Sequence, residues 1–167
     1  MKHLICFLLL TTLFTGCNTD NTSKAVEVDT GPQVLGVGEC NACGMVVRDQ
    51  PSPRAQGVHR DGTRAWFCSL GDMMVYLDTP SPHGLVNHIY VEDMPANFKS
   101  TDMNTEPLSW LSTSQAYYVL GVERPAIMGL AVLSFKDREA AEEVAGANSG
   151  RVLDWSGLRE VFGKGAE

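Results

Sequence analysis

The order of apolar and polar positions along the chain predicts two groups of short elements. In the first half, β-type runs at residues 56–60 and 63–68 flank Asp61-Gly62, a pair that favours a tight hairpin turn. Ser69 can then cap a helix, and residues 88–91 predict a further strand. The helix is indicated by four apolar residues on one face, Leu70, Met73, Met74 and Leu77.

The second half repeats this order of elements. Residues 116–122 and 129–135 predict two strands, Asp137 can cap a helix that continues to about Ala147, and residues 150–155 predict a third strand. We therefore predict an α+β fold of two small ββαβ lobes. Lobe one spans about residues 34–95, a connection spans about 96–113, and lobe two spans about 114–162.

The segment before the lobes has the features of an export signal. A short positive start precedes an apolar run at residues 4–14, which is too short for a helix that spans a bilayer. The run ends in Thr15-Gly16-Cys17, which resembles a bacterial lipobox. We expect residues 1–16 to be a lipoprotein signal peptide, Cys17 to be lipidated, and residues 17–33 to form a flexible tether before the domain at 34–167. The expected location is the periplasmic face of a bacterial membrane, with inner and outer membrane both open.

Composition and charge narrow the class of partner. The 167 residues are 44% hydrophobic and 20% charged, which fits one compact domain or two small lobes. The formal net charge of −7 excludes a protein that holds phosphate backbones by counterion release, so we expect no nucleic-acid partner.

The cysteines provide the first candidate chemistry. There are five, and two of them, Cys6 and Cys17, belong to the signal peptide and the lipidation site. The domain therefore holds an odd number of thiols, Cys40, Cys43 and Cys68, so a disulfide framework would leave one of them free or bound to a metal.

Two of these thiols form a compact motif, Cys40-Asn41-Ala42-Cys43-Gly44-Met45. The spacing lets both sulfurs point into one turn, and Gly44 can adopt the positive φ that such a turn requires. Met45 adds a thioether on the same side if the segment is extended. Thiolate and thioether donors favour a soft ion, so we interpret the motif as a Cu(I) site.

Other interpretations of the motif stay open at this point. Structural zinc needs four ligands, which Cys68, His59, His83 or His88 would have to complete. A thiol–disulfide oxidoreductase would place its first cysteine at a helix start after a core strand, which the pattern before Cys40 does not predict. No nucleophile elbow, phosphate loop or carboxylate pair is visible, so we do not expect an enzyme.

The remaining candidates are weaker from the sequence alone. Cys68 ends a strand just before the helix cap, where we favour a buried and unreactive thiol. His88 opens a strand and is more often exposed there than a ligand. Met128 lies in a turn-like segment and would by itself be assigned to the core.

The order of short motifs resembles one known family. The chain carries Cys-x-x-Cys-Gly-Met at residues 40–45, Asp61-Gly62 leading to Trp66-Phe67, and Met128-Gly129 before the last elements. Together with residues 90–93, 116–119 and 150–153, this order is similar to the NosL family over about residues 36–160. NosL proteins are accessory lipoproteins of nitrous oxide reductase maturation.

The resemblance implies more than the residues do. It implies a fold like that of organomercurial lyase, one bound Cu(I), and a copper chaperone that is a monomer or homodimer. Its partners would be nitrous oxide reductase and the NosD-type periplasmic subunit of an ABC-type membrane complex. By position, the metal ligands would be Cys40, Cys43, Met45 and Met128. Zinc is an alternative or additional ion, and an exported zinc-stabilised interaction module is the rival function.

Overall fold

The first half of the chain forms a four-stranded antiparallel sheet with one helix. The computed structural model describes residues 28–124, 127 and 130–163. The elements of the first half are β1 (Ala55–His59), β2 (Arg64–Phe67), α1 (Leu70–Leu77), β3 (Val86–Glu92) and β4 (Trp110–Ser112). The strand order is β2-β1-β3-β4. The strand β4 lies inside the predicted connection and pairs with β3, with Val91 opposite Leu111.

The second half forms a three-stranded sheet with two helices. Its elements are β5 (Tyr117–Leu120), β6 (Val132–Phe135), α2 (Arg138–Ala147), β7 (Arg151–Leu153) and α3 (Trp155–Gly163). The order is β6-β5-β7, and both pairings are antiparallel. The predicted α+β class with two small ββαβ units is confirmed. The helix α3 was not predicted, and its first turn is held by the Asp154 carboxylate, which accepts from the Gly157 amide at 2.8 Å.

Local sequence signals explain the first hairpin and the helix that follows it. The β1–β2 turn closes with a bond from the His59 amide to the Thr63 carbonyl, and Gly62 has a φ of 87°. The Ser69 hydroxyl accepts from the Asp72 amide at 3.1 Å and caps α1. Because β2 ends at Phe67 and α1 begins at Leu70, only Cys68 and Ser69 separate the strand from the helix.

The two lobes share their main hydrophobic core. Buried side chains of the first lobe, among them Phe67 and Met73, pack in one cluster with Tyr118, Leu120 and Leu158 of the second lobe. The predicted apolar face of α1 is therefore buried, as expected from its spacing. A second cluster lies between β5, β6 and α2. No helix in the described part of the chain is long and apolar enough to cross a bilayer.

The start of the described chain is docked on the first sheet. The Arg64 guanidinium donates to the Asp29 and Gly31 carbonyls, and the Tyr90 hydroxyl donates to the Thr30 carbonyl at 2.8 Å. Gln33 exchanges two hydrogen bonds with the buried Gln56 side chain. We predicted that these residues belong to a flexible tether. In the structure, however, hydrogen bonds attach residues 29–33 to the sheet.

A buried ion pair fixes the loop that precedes β1. The side chains of Arg54 and Glu92 are fully buried, and their closest atoms are 2.7 Å apart. Arg54 also donates to four backbone carbonyls, those of residues 48, 50, 105 and 106. The pair therefore joins the loop before β1 to the connection that follows β3.

Candidate metal centre

The cysteine motif forms a tight turn. The Cys40 amide donates to the Met45 carbonyl at 2.7 Å, and the Gly44 amide donates to the Cys40 carbonyl at 2.8 Å. Gly44 has a φ of 76°, a conformation that side chains disfavour, so the predicted role of this glycine is confirmed. Residues 45–47 are apolar and β-branched enough to suggest a short strand. In the structure, a single bridge joins Glu39 to Val46, and a short 3₁₀ helix covers Val47–Asp49.

Contacts with β2 hold the turn against the first lobe. The Asn41 amide donates to the Trp66 carbonyl at 2.8 Å, and the Trp66 amide donates to the Asn41 side chain at 2.8 Å. The indole also packs on Gly38, where an added Cβ would lie 3.1 Å from the ring. These contacts place the turn beside the end of β2, where Cys68 is located.

Three thiols and one carboxylate meet at this point. The ligand atoms of Cys40, Cys43, Cys68 and Asp72 all lie within 4.8 Å of one another. The Cys43 and Cys68 sulfurs are 3.4 Å apart. The Cys68 thiol donates to Asp72 Oδ2 at 2.9 Å, and Cys40 Sγ lies 3.8 Å from the same oxygen. The three cysteines are free, without disulfides.

The thiols differ in exposure. Cys40 and Cys68 are 3% and 6% exposed, and they pack with the buried side chain of Val47. Cys43 is half-buried and lies between the exposed residues Ala42 and Gly44. The sulfur of Cys43 is therefore the one that solvent or a partner reaches first.

The environment shifts the pKa values of the three thiols in different directions. Hydrogen bonding with Cys68 lowers the pKa of the Cys40 thiol to about 5, and backbone N–H groups of Cys68, Ala42 and Cys43 add to this effect against the opposing effect of burial. Burial raises the pKa of Cys43. The hydrogen bond with Cys40, burial and the Asp72 carboxylate together raise the pKa of Cys68. The environment therefore favours the thiolate on Cys40 over the other two sulfurs, and a thiolate is a ligand for soft cations.

Residues from three segments close around Cys68 and Asp72. Met45, Pro51 and Ile127 line a narrow cavity at this point. Met45 is half-buried and packs against the Cys40–Cys68 cluster. The site is thus enclosed by the cysteine turn, the loop before β1 and the segment before β6.

The predicted candidates are not all found at the centre. Cys40 and Cys43 are brought together, and Met45 lies beside them. His88 is exposed on β3, opposite Val58, and does not belong to the cluster. Met128 and Cys17 lie outside the described residues.

The other histidines have partners elsewhere in the first lobe. His59 is buried, with one ring nitrogen 2.8 Å from the Gly84 carbonyl and the other 3.0 Å from the Tyr76 hydroxyl. His83 bonds to the Asp61 carboxylate at 2.9 Å. Neither histidine completes the four-ligand set that was considered for zinc.

Two members of the cluster were not assigned to it from the sequence. Cys68 was named only as one possible zinc ligand, and we favoured an unreactive thiol; it is buried as expected, but its sulfur contacts Cys43. Asp72 was not a predicted site residue. Its amide donates to the Ser69 cap, whereas its carboxylate accepts from the Cys68 thiol. The signal that could have found Asp72 is its position in the first turn of α1, four residues after Cys68.

Comparison with known proteins assigns the chain to a family. The NosL family model matches residues 33–161. The chain belongs to the NosL family. Its relatives include the copper-binding lipoprotein NosL of Stutzerimonas stutzeri, which is 33% identical over 124 residues, covering 74% of this chain and 63% of the relative. The alignment thus spans less than two thirds of that relative's length.

A second relative agrees with this assignment, and one solved structure shares the fold. The copper-binding lipoprotein NosL of Achromobacter cycloclastes is 29% identical over 153 residues, covering 90% of this chain and 76% of the relative. The crystal structure of the copper chaperone NosL from Shewanella denitrificans superposes with a TM-score of 0.63 at 24% identity, over 76% of this chain and 94% of that one. At this identity the structural likeness concerns the fold.

Proposed function

We propose that this protein is an exported, lipid-anchored metallochaperone that carries Cu(I) to the assembly of the copper centres of nitrous oxide reductase. The observation that carries the proposal is the convergence of three thiols with Met45 at one partly open site. Sulfur donors select soft ions, and Cu(I) accepts two or three of them. Relatives named as copper-binding lipoproteins support the same function. We propose no catalytic role for the chain.

Each donor has a distinct part in this proposal. The Cys40 thiolate captures the ion, and Cys43 and Met45 complete a low-coordinate sulfur site, with Met128 as a further thioether ligand. We add Cys68 to this proposed set, since its sulfur lies 3.4 Å from that of Cys43. His88 is no longer proposed as a ligand, because it is exposed on β3 and outside the cluster.

The proposed delivery step is ligand exchange. Cys43 is half-buried, so a soft donor of an acceptor protein can approach the ion on that side while Cys40 still holds it. The ion then passes to the acceptor without being released into solvent. The proposed partners are nitrous oxide reductase and the NosD-type subunit of an ABC-type complex. The proposed location is the periplasmic face of the membrane, through a lipid on Cys17.

One observation favours a second candidate function. Asp72 adds a carboxylate oxygen to three sulfurs, and four such donors also suit tetrahedral zinc. In that case the protein would be an exported interaction module whose fold is stabilised by zinc. Copper and zinc make different demands on the site, because zinc uses all four donors and Cu(I) needs only the sulfurs.

An anaerobic Cu(I) titration tests the proposal. We would use the reduced chain from residue 17 with Cys17→Ser, against a chromophoric Cu(I) competitor. We expect tight one-to-one binding that weakens in Cys40→Ser and Cys43→Ser, and to a smaller extent in Met45→Leu and Met128→Leu. Met103→Leu is the matched control, since Met103 is an exposed methionine that is not part of the cluster.

Zinc competition separates the two candidates. Binding of Cu(I) that is weak, or unchanged by both cysteine substitutions, would contradict the copper proposal. Firm zinc retention that is lost in Asp72→Asn, together with weak Cu(I) binding, would instead support the zinc-stabilised module.

A further inference from the structure

The three thiols of the cluster are arranged as a contacting pair and a third sulfur. The pair is Cys43 and Cys68, whose sulfurs lie 3.4 Å apart. The third sulfur, that of Cys40, accepts from the Cys68 amide at 3.5 Å and is 3% exposed. The Cys-x-x-Cys spacing would suggest a bond between Cys40 and Cys43, but the structure brings Cys43 to a partner 25 residues away.

We infer that Cys43 and Cys68 form a reversible disulfide by exchange with a low-molecular-weight disulfide, while Cys40 stays reduced. The bond requires the two sulfurs to approach from 3.4 Å to about 2.05 Å. Cys43 can make this movement because it sits in a turn flanked by the exposed residues Ala42 and Gly44. Cys68 is fixed between β2 and α1, so the movement belongs to the turn.

The exchange proceeds in two balanced steps. The Cys43 sulfur is the accessible one, so after losing its proton to solvent it attacks the small disulfide, forms a mixed disulfide and releases one small thiolate. The Cys68 sulfur then attacks the sulfur of Cys43 and releases the second small thiolate. The two protons of the protein thiols end on the two small thiols. The small disulfide is thus reduced, and the Cys43–Cys68 pair is oxidised by the same two electrons.

The bond would act as a switch on the cargo site, an inference that rests on the proposed copper function. It would remove two of the three thiols and leave Cys40 with Met45. The oxidised protein would therefore hold Cu(I) less firmly, and bound Cu(I) would protect the pair from oxidation. The switch would make loading depend on prior reduction of the protein.

Disulfide mapping without metal tests the bond itself. The reduced, copper-free chain from residue 17 with Cys17→Ser is incubated with oxidised glutathione, alkylated, digested and examined by mass spectrometry. We expect one remaining free thiol, a mass lower by two hydrogens, and a peptide pair that joins Cys43 to Cys68. The Cys40→Ser variant should form the same bond. The Cys68→Ser variant should stop at a glutathionyl adduct on Cys43.

A dominant Cys40–Cys43 bond in the unsubstituted cluster, or three thiols that stay free, would overturn the inference. The mapping needs no copper, so its result stands even if the proposed function fails.

A second measurement tests the switch. The oxidised and reduced forms are compared in the same Cu(I) competition, and we expect the oxidised form to bind at least about tenfold more weakly, since even outer partners of a metal site change affinity by that factor. Equal affinities of two forms that both bind copper would overturn the switch. Recovery of binding after reduction would support it.

Discussion

The starts of α1 and α2 have the same local fold but carry side chains of different chemistry. Each helix follows the second strand of a ββαβ unit after a two-residue junction, Cys68-Ser69 before α1 and Lys136-Asp137 before α2. In both cases the second residue of the junction is the helix cap. The first residue is a thiol in one lobe and an ammonium group in the other.

The caps themselves explain part of this difference. Ser69 caps α1 through a neutral hydroxyl, which leaves the Asp72 carboxylate free to accept from the Cys68 thiol. Asp137 caps α2 with its own carboxylate, at 2.8 Å from the Glu139 amide. The second lobe also contains no cysteine or histidine, since the last of these are Cys68 and His88. The fold therefore provides two equivalent helix starts, and the residues at one of them make it the candidate metal site.

The largest expected difference between the lobes concerns their ion pairs. Arg54→Met would leave Glu92 buried without its partner, at a cost of about 3–5 kcal/mol in the free energy of unfolding. Arg138→Met would break the exposed pair with Glu142 and cost less than about 1 kcal/mol. Urea unfolding monitored by fluorescence measures both values.

The double variant Arg54→Met/Glu92→Leu sharpens the ion-pair comparison. It removes both buried charges, so part of the lost stability should return. The remainder stays lost because the four backbone carbonyls that Arg54 bonds keep no donor. Similar losses of unfolding free energy in Arg54→Met and Arg138→Met would show that the buried pair stabilises the fold no more than the exposed pair does.

The next largest effect is expected at the first residue of each junction. Cys68→Ser should lower Cu(I) affinity by at least about tenfold, because it removes a sulfur that contacts Cys43. Lys136→Ser replaces the equivalent residue of the second lobe and should leave the affinity unchanged. The competition titration compares them, and equal affinities would argue against Cys68 as a ligand.

A third prediction concerns protons. Hydrogen bonding with Cys68 holds the pKa of Cys40 at about 5, so a thiolate absorbance step should appear near that pH and vanish in Cys40→Ser. At neutral pH, Cu(I) capture by Cys40 and Cys43 should release about one proton per ion rather than two, because Cys40 is already ionised. Release of two protons in a weakly buffered titration would contradict this assignment.

The same pKa shift has a defined effect on stability. The pKa of Cys40 is lower in the folded than in the unfolded chain, so the thiolate contributes fully above the ordinary thiol pKa of 9.0. This contribution is lost as the pH falls towards about 5. Unfolding of the metal-free protein at several pH values measures it, and Cys40→Ser should flatten this part of the profile.

The smallest expected effects come from the caps. Ser69→Ala and Asp137→Ala should each lower stability by about 1 kcal/mol, because each removes the acceptor for an N-terminal amide of its helix. Only Ser69→Ala should also raise the alkylation rate of Cys68, because the start of α1 positions Asp72, which accepts from the Cys68 thiol. Equal alkylation rates in the two variants would show that the cap does not shape the site.

Signals that act over a few residues were readable from the sequence. The Asp61-Gly62 turn, the Ser69 and Asp137 caps, the buried face of α1 and the turn at Gly44 all depend on neighbours close in the chain. The two ββαβ units followed from these local patterns. Cys40 and Cys43 were likewise identified by their spacing.

What could not be predicted depends on contacts between distant residues. Cys68 lies in the cluster because Asn41 bonds to Trp66 and Gly38 packs against its ring, which holds the cysteine turn beside the end of β2. A periodic sequence pattern does not predict such contacts. The strand β4 forms because it pairs with the edge of β3. Its own three residues are too few to show the alternating pattern that predicts a strand. The docking of residues 29–33 depends in the same way on the Arg64 side chain.

The docked N-terminal segment fixes where the described chain enters the domain. Val28 lies against Gly62 at the β1–β2 turn, whereas Cys68 follows the opposite end of β2. The distance between these ends is roughly 15 Å, at about 3.3 Å per residue. The proposed lipid on Cys17 would therefore be joined to the domain at its hairpin end, and the thiols lie at the other end of β2, remote from that point of attachment.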